Sequence, residues 1–209
     1  MTELQNPAGK PIPKDRVCTL NDAIYAFAMT LLVITIDIPS KYQNTHAIAP
    51  VHSIVISILP DLAHFFIAFV LLAILWYFEH QRFQYLRHLD RPLLCMNMAS
   101  LVFVCLIPFS TNLAGDYPLD TLGAIIFELN ILAIGLIAFI QWIYIRNKAT
   151  NLVPGFNLPH INREIEWALV FPLLSIAGIA LALLHSTWSV GIYVFAPVIM
   201  AFLYSKTLA

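Results

Sequence analysis

Charge is the scarcest thing in this chain. Only 11% of its 209 residues are Asp, Glu, Lys or Arg, against about 25% in soluble domains. Hydrophobic residues make up 60%, and the mean hydropathy is +0.79. Such a composition excludes an ordinary soluble domain and implies a membrane protein. The net charge of −1 gives no reason to expect nucleic acid as a partner. The three cysteines include no CxxC pair. Cys95 and Cys105 would stand about 15 Å apart on one helix, too far to bridge, so free thiols are expected and neither a disulfide framework nor a zinc site. No Gly-rich phosphate loop, GxSxG elbow or HExxH helix occurs, so neither an enzyme nor a cofactor is expected. The first 22 residues are polar and carry Pro7, Pro11 and Pro13. They have no apolar core with a cleavage site, and a removable signal peptide is not expected.

Apolar runs are what the chain has in abundance. Arg16-Val-Cys-Thr-Leu-Asn-Asp22 opens the first, whose uninterrupted stretch covers 14 positions, Ala23 to Ile36, between Asp22 and Asp37. That is roughly 21 Å of helix, against a hydrocarbon core of about 30 Å. A helix facing lipid alone would draw a carboxylate towards hydrocarbon at about 2.5–3.5 kcal/mol. Surrounding it with other helices or water removes that cost, so this helix is expected to be central. Five further segments follow: Pro60 to Phe78, Leu93 to Leu113, Leu122 to Ile145, Trp167 to Leu184 and Trp188 to Tyr204. Val51 to Leu59 is too short to span and reads as an outer helix leading into the second crossing.

Basic residues support six crossings. Lys10, Lys14 and Arg16 precede the first run, Arg82, Arg87 and Arg91 follow the second, Arg146, Lys148 and Arg163 follow the fourth, and Lys206 follows the last. Only Lys41 lies in an odd-numbered loop, so both termini are expected in the cytoplasm. The expectation is an all-α, multi-pass protein of the cell membrane. It has a cytoplasmic segment over 1–19, one six-helix transmembrane domain over 20–206 and no soluble domain. The connection from Asn147 to Glu166 holds Pro154-Gly155 and Pro159 and reads as irregular or as a brief surface helix.

Polar side chains inside the runs are the candidates for function. Arg16, Asp22, Trp76, His80 and Asn97 fall at one depth, near the cytoplasmic ends of the first three helices. One buried network joining them would satisfy every donor and acceptor. Trp76 and His80, four apart, equally suit an interfacial aromatic belt. Glu79 and His80 are adjacent and point about 100° apart, so they cannot converge on one ion. Asp61 and His64 share a helix face, either as half of a metal site or to solvate an outer helix end. Glu128 lies six residues inside the fourth run, either as a functional intramembrane carboxylate or reaching the outer interface.

Together these residues resemble the endosomal/lysosomal potassium channel family of the transmembrane-protein-175 type. That family opens its first helix with R-x-x-x-F-S-D and an apolar run close to AIAITLLVL; here Arg16 and Asp22 match, and AFAMTLLVI follows in register. It ends its second helix with a Trp and a His four apart, matched by Trp76 and His80, and carries LN and PF in its third. Asn97 and Ile107-Pro108-Phe109 match those. The resemblance covers Arg16 to Thr111. Leu20 and Asn21 stand where the motif has Phe and Ser; Leu20 preserves packing, and Asn21 keeps a hydrogen-bonding group in a larger volume.

The resemblance implies a homotetramer whose first helices line the pore of a potassium-permeable cation channel of modest selectivity. The constriction would be made of apolar side chains, and the absence of a TVGYG-type carbonyl loop is consistent with that. By register the pore face is Phe27, Thr30, Leu31 and Ile34. Their i, i+3, i+4, i+7 spacing makes one helical stripe, which is equally the pattern of a core stripe. Two other readings stay open. One is a proton-coupled secondary transporter titrating Glu128 and His80, although no inverted repeat or midplane Gly-broken helix pair is visible. The other is a non-conducting membrane scaffold.

Overall fold

The computed structural model describes residues 13–36, 51–117, 120–148, 152–153, 158–184 and 189–197. All regular structure among them is helical. Helix α1 is Lys14–Leu31, tightened at its end into a 3-10 turn over Leu32–Thr35. Then come α2 Val51–Ser57, α3 Leu59–Tyr85, α4 Arg91–Asp116, α5 Thr121–Asn147, α6 Leu158–Ala168 and α7 Val170–Leu183, with a last 3-10 turn at Val190–Phe195. Five stretches are long and apolar enough to cross a membrane: Lys14–Thr35, Leu59–Tyr85, Arg91–Asp116, Thr121–Asn147 and Leu158–Leu183. The sixth expected crossing is described only from Ser189 to Pro197; Trp188 and 198–204 lie outside the described residues, as does Asp37.

The helix boundaries follow from local chemistry. Asp90 caps α4, its Oδ1 accepting from the Leu93 amide, and Pro92 sits in the first turn, where a missing N–H costs nothing. Asp120 caps α5 in the same way, through the Leu122 amide. Arg82 and Arg146 close α3 and α5, where the helix dipole favours a cation. The short outer helix stays distinct from α3, with a break at Ile58. The connection after α5 departs from the expected layout. Its surface helix, α6, passes through Leu169 straight into α7, so the apolar stretch counted as the fifth candidate crossing begins at Leu158 and not at Trp167. Ile161 and Glu164, one turn apart, face inward on α6.

α1 packs on α3 and α4, while α5 packs chiefly on α4 and α7. Tyr25, Leu32, Leu71, Leu72, Val104 and Ile107 form the middle of the apolar core, with Phe127 and Ile131 of α5. A second cluster lies at the end of the bundle that carries Arg82 and Arg146. There Val17, Phe83, Leu86 and Leu93 meet Trp142 and Ile145. Lipid offers apolar surface as good as the interior, so helices in a membrane associate through close packing of small residues. α5 and α7 meet in that way. A Cβ on Gly135 would stand 2.6 Å from Cδ of Pro172, and one on Gly178 would stand 2.3 Å from the carboxyl of Glu128.

Gly135→Ala is expected to destabilise the bundle by about 1–3 kcal/mol, because the proline ring it would strike is rigid. Gly115→Ala, whose Cβ would meet only His64 at an ordinary 3.5 Å, is the neutral control. Melting midpoints of the two variants in one detergent check the contrast.

Candidate functional site

The site begins at Asn21, on the buried side of α1. Its Nδ2 donates to Oε1 of Glu79 at 3.0 Å and to Oδ1 of Asn97 at 3.3 Å, and its Oδ1 accepts from Nδ2 of Asn97 at 2.9 Å. The side-chain amide is thus fully used, and it ties α1 to α3 and α4. Glu79 takes a second, longer hydrogen bond from the Tyr25 hydroxyl at 3.5 Å. Its Oε2 lies 3.7 Å from Nη2 of Arg82, one turn on. All five of these side chains are buried, so the single acid and single base are paired inside the protein, as charges away from water must be.

Asp22 serves another face. Its Oδ1 accepts from Nε1 of Trp76 at 2.8 Å, and the Trp76 ring lies 5.5 Å from that of His80 at a 31° tilt. Of the five residues expected in one network, Asp22, Trp76 and His80 form this second group, at the margin of the bundle, while Asn97 belongs to the buried group. Arg16 is exposed and stands apart from both, and Leu20 is 43% exposed, so within one chain it is not a packing residue. The expected single network is therefore corrected to two. Equal depth places residues at one level but not on one face: neighbours on a helix diverge by about 100°. Asn21 and Asp22 diverge in this way, as do Glu79 and His80. Glu79 and Arg82 are the residues that sequence reasoning missed. Their i, i+3 spacing is the signal that could have found them.

The opposite face of α1 has no cover among the described residues. Asn21, Tyr25, Ala28 and Leu32 are buried on one side, whereas Phe27 and Ile34 are 65% and 71% exposed on the other, with Thr30 between them. Leu31 sits half-buried at the edge of that face. The uncovered arc is wider than the expected stripe, since Ala23, Ala26 and Val33 share it. The Thr30 hydroxyl donates to the carbonyl of Phe27 at 2.8 Å. Its proton is thereby fixed on the helix, and its oxygen lone pairs remain to accept from outside.

Glu128 does not reach an interface. It is fully buried; its Oε2 accepts from the Tyr193 hydroxyl at 2.5 Å, and that hydroxyl lies 2.9 Å from Oγ of Ser175. Fourteen residues, roughly 21 Å of helix, separate it from Trp142, which packs with Phe83 near the His80 end of α3. The two groups of the transporter reading therefore lie towards opposite ends of the bundle. Among the described residues, no three His, Cys, Asp or Glu side chains form a group able to hold a metal ion.

Residues 16–108 match the family model described as endosomal/lysosomal potassium channel TMEM175. The chain is similar to a potassium channel of Streptomyces collinus, 24% identical over 69% of this chain and 70% of that one. It is similar to another from Chamaesiphon minutus, 23% identical over 85% and 88%. The human endosomal/lysosomal proton channel TMEM175 is 25% identical over 88% of this chain, which spans only 39% of that longer protein. In fold, the chain is similar to the crystal structure of the Chamaesiphon minutus TMEM175 homologue, with a TM-score of 0.73 over 94% of this chain and 98% of that one. The resemblance carried by Arg16, Asp22, Trp76, His80, Asn97 and the segment around Pro108 is thereby shown, and the family it points to is one of ion channels and not of enzymes.

Asn21→Ala removes three hydrogen bonds and leaves Glu79 and Asn97 short of partners. A loss of about 1–3 kcal/mol is expected. A double-mutant cycle with Asn97→Ala should show a coupling of about 0.5–3 kcal/mol, read from chemical denaturation in detergent.

Proposed function

Because the chain is related to the TMEM175 family, we propose that it is one subunit of a potassium-permeable cation channel, assembled as a homotetramer around α1. The observation that carries this reading is the uncovered face of α1. In a lone subunit Phe27 and Ile34 lie largely exposed, while polar Asn21 on the other side is buried and fully bonded. Lipid could cover an apolar face, but lipid alone around so short a run would draw Asp22, exposed on the same helix, towards hydrocarbon, so the bare side needs a partner. Three further copies of the same helix supply one, and the names of the bacterial relatives supply the permeant ion.

Four α1 helices would place Phe27, Thr30, Leu31 and Ile34 around the axis, with the remainder of the uncovered arc, including Ala26 and Val33, against neighbouring subunits. The 3-10 turn at Leu32–Thr35 brings Ile34 nearly beneath Leu31, because residues three apart eclipse in that geometry. The result is a short apolar constriction with a single hydroxyl level at Thr30. A cation crossing it sheds water without carbonyls to replace the shell, so the constriction limits flux by exclusion of water. With the positive-inside rule, the end bearing Arg16, Arg82 and Arg146 is cytoplasmic, six crossings are made, and both termini are inside. The six-helix unit then covers 20–206 as one domain of a multi-pass protein in the cell membrane.

A reconstituted flux assay with potassium, sodium and N-methylglucamine gradients tests the reading. Channel-like potassium flux without N-methylglucamine flux is expected; saturable, proton-coupled uptake would instead favour the transporter, and a tight bilayer the scaffold. Phe27→Ala is expected to widen and wet the constriction, raising cation flux and blurring potassium over sodium. Thr30→Val removes the hydroxyl oxygen and should lower flux. Cysteines at 27, 30, 31 and 34 should react with water-soluble thiol reagents faster than those at 26, 29 and 33 in the assembled protein. The reverse order would place the pore on the other edge of the exposed arc.

A further inference from the structure

Arg82 holds more hydrogen-bonding capacity than the protein around it uses. A guanidinium carries five N–H donors, and this one is only 4% exposed. Its nearest carboxylate oxygen, on Glu79, is 3.7 Å from Nη2, longer than a direct hydrogen bond. Its Nε and Nη1 have no protein partner among the described residues. Beside it, between α3, α5, α6 and α7, lies a cavity of about 30 Å³. Glu79, Arg82 and Glu164 line it together, with Tyr25, Trp142 and Trp167 among its walls. One water molecule needs about 10–15 Å³ by this kind of measure and two to four polar partners. The space therefore suits one or two waters and is too small for an organic ligand. A bare monovalent cation is disfavoured by the guanidinium in the same wall.

We propose that this cavity is a built site for ordered water. In it, water accepts from Nε and Nη1 of Arg82 and donates to the carboxylate of Glu164. Arg82 and Glu164 are then positioning residues for α1. Glu164 is buried on α6, with Oε1 3.7 Å from Nδ1 of His160, and His160 in turn meets the Tyr85 hydroxyl of α3 and the Arg163 guanidinium. Arg82 also pairs with Glu79, and Glu79 holds Asn21 and Tyr25 of α1. The water closes the gap between Glu164 and Arg82 in a polar path from α6 at the basic end of the bundle to the buried side of α1. Displacing α6 then loosens the grip of Glu79 on α1 without touching α1 itself. The water site stands apart from the channel reading; only the consequence for a pore rests on it.

The test separates the two. In a high-resolution structure of the intact assembly in lipid nanodiscs, density for water within hydrogen-bonding distance of Nε and Nη1 of Arg82 is expected. A dry cavity overturns the proposal, whatever the flux. Glu164→Gln keeps an oxygen that can accept from water and should leave the melting midpoint unchanged. It should also leave unchanged the rate at which a cysteine at position 27 reacts with a thiol reagent. Glu164→Leu should change that rate several-fold at unchanged assembly mass. If Glu164→Leu does not assemble, Glu164→Gln and the water density still decide. A Gln variant as damaged as the Leu variant, or an assembled Leu variant with an unchanged Phe27→Cys reaction rate, overturns the proposal.

Discussion

The bundle depends on one buried side-chain amide. Asn21 sits on α1 at a position surrounded by hydrophobic interior, and it engages Asn97 reciprocally while donating to Glu79. In a low-dielectric interior such a group is costly unless every donor and acceptor is matched, and strongly orienting once they are. Van der Waals packing alone lets helices slide or rotate by a residue. Three hydrogen bonds at one level do not. They fix the rotation of α1, and by fixing it they decide which side of that helix is left bare. The uncovered face with Phe27, Thr30 and Ile34 is the geometrical complement of the Asn21 side.

Asn21 also explains why the departure from the family motif is tolerated. Where the motif has Ser, the longer Asn reaches both α3 and α4 from one position, since its amide offers two donors and an acceptor where a hydroxyl offers one donor. Asp22, which does match the motif, has the more peripheral task of receiving the Trp76 indole. A Trp that stacks near His80 and donates to Asp22 holds the margin of α3 against α1, while the Asn–Glu–Asn group holds the interior. Two fastenings on adjacent faces resist both sliding and twisting, which one alone does not.

Hydropathy made the five candidate crossings legible, because long apolar runs have no other economical place. Asp90 and Asp120 cap two helix starts in the structure, a local signal that hydropathy does not use. The depth of the polar residues was also readable, since depth is only a count along a helix. Rotation was not. Which neighbour Asn21 or Glu79 faces depends on how three helices are turned against one another, and no local signal in a mostly apolar sequence specifies that angle. For the same reason Glu128 read ambiguously. Its partner Tyr193 is 65 residues away, and only the packing of α5 on α7, made close by Gly135 and Gly178, brings the last 3-10 turn within reach of it.

The distribution of polar groups along the bundle then has a mechanical meaning. Near the basic end, α1 is clamped through Asn21, Asp22 and Tyr25, all within its first dozen residues. Beyond Tyr25 its contacts are apolar, from Ala28 to Leu32, and apolar contacts have no preferred direction. The helix ends in a 3-10 turn, whose poorer hydrogen-bond geometry is more easily rewound than an α-helix. A rigid root with a compliant tip places any change of shape at the level of Leu31 and Ile34 and spares the hydrogen bonds at the root. Rotation or rewinding of the tip would leave the Asn21 hydrogen bonds intact, so the bare face of this helix can shift without disturbing the interactions that hold the helix in the bundle.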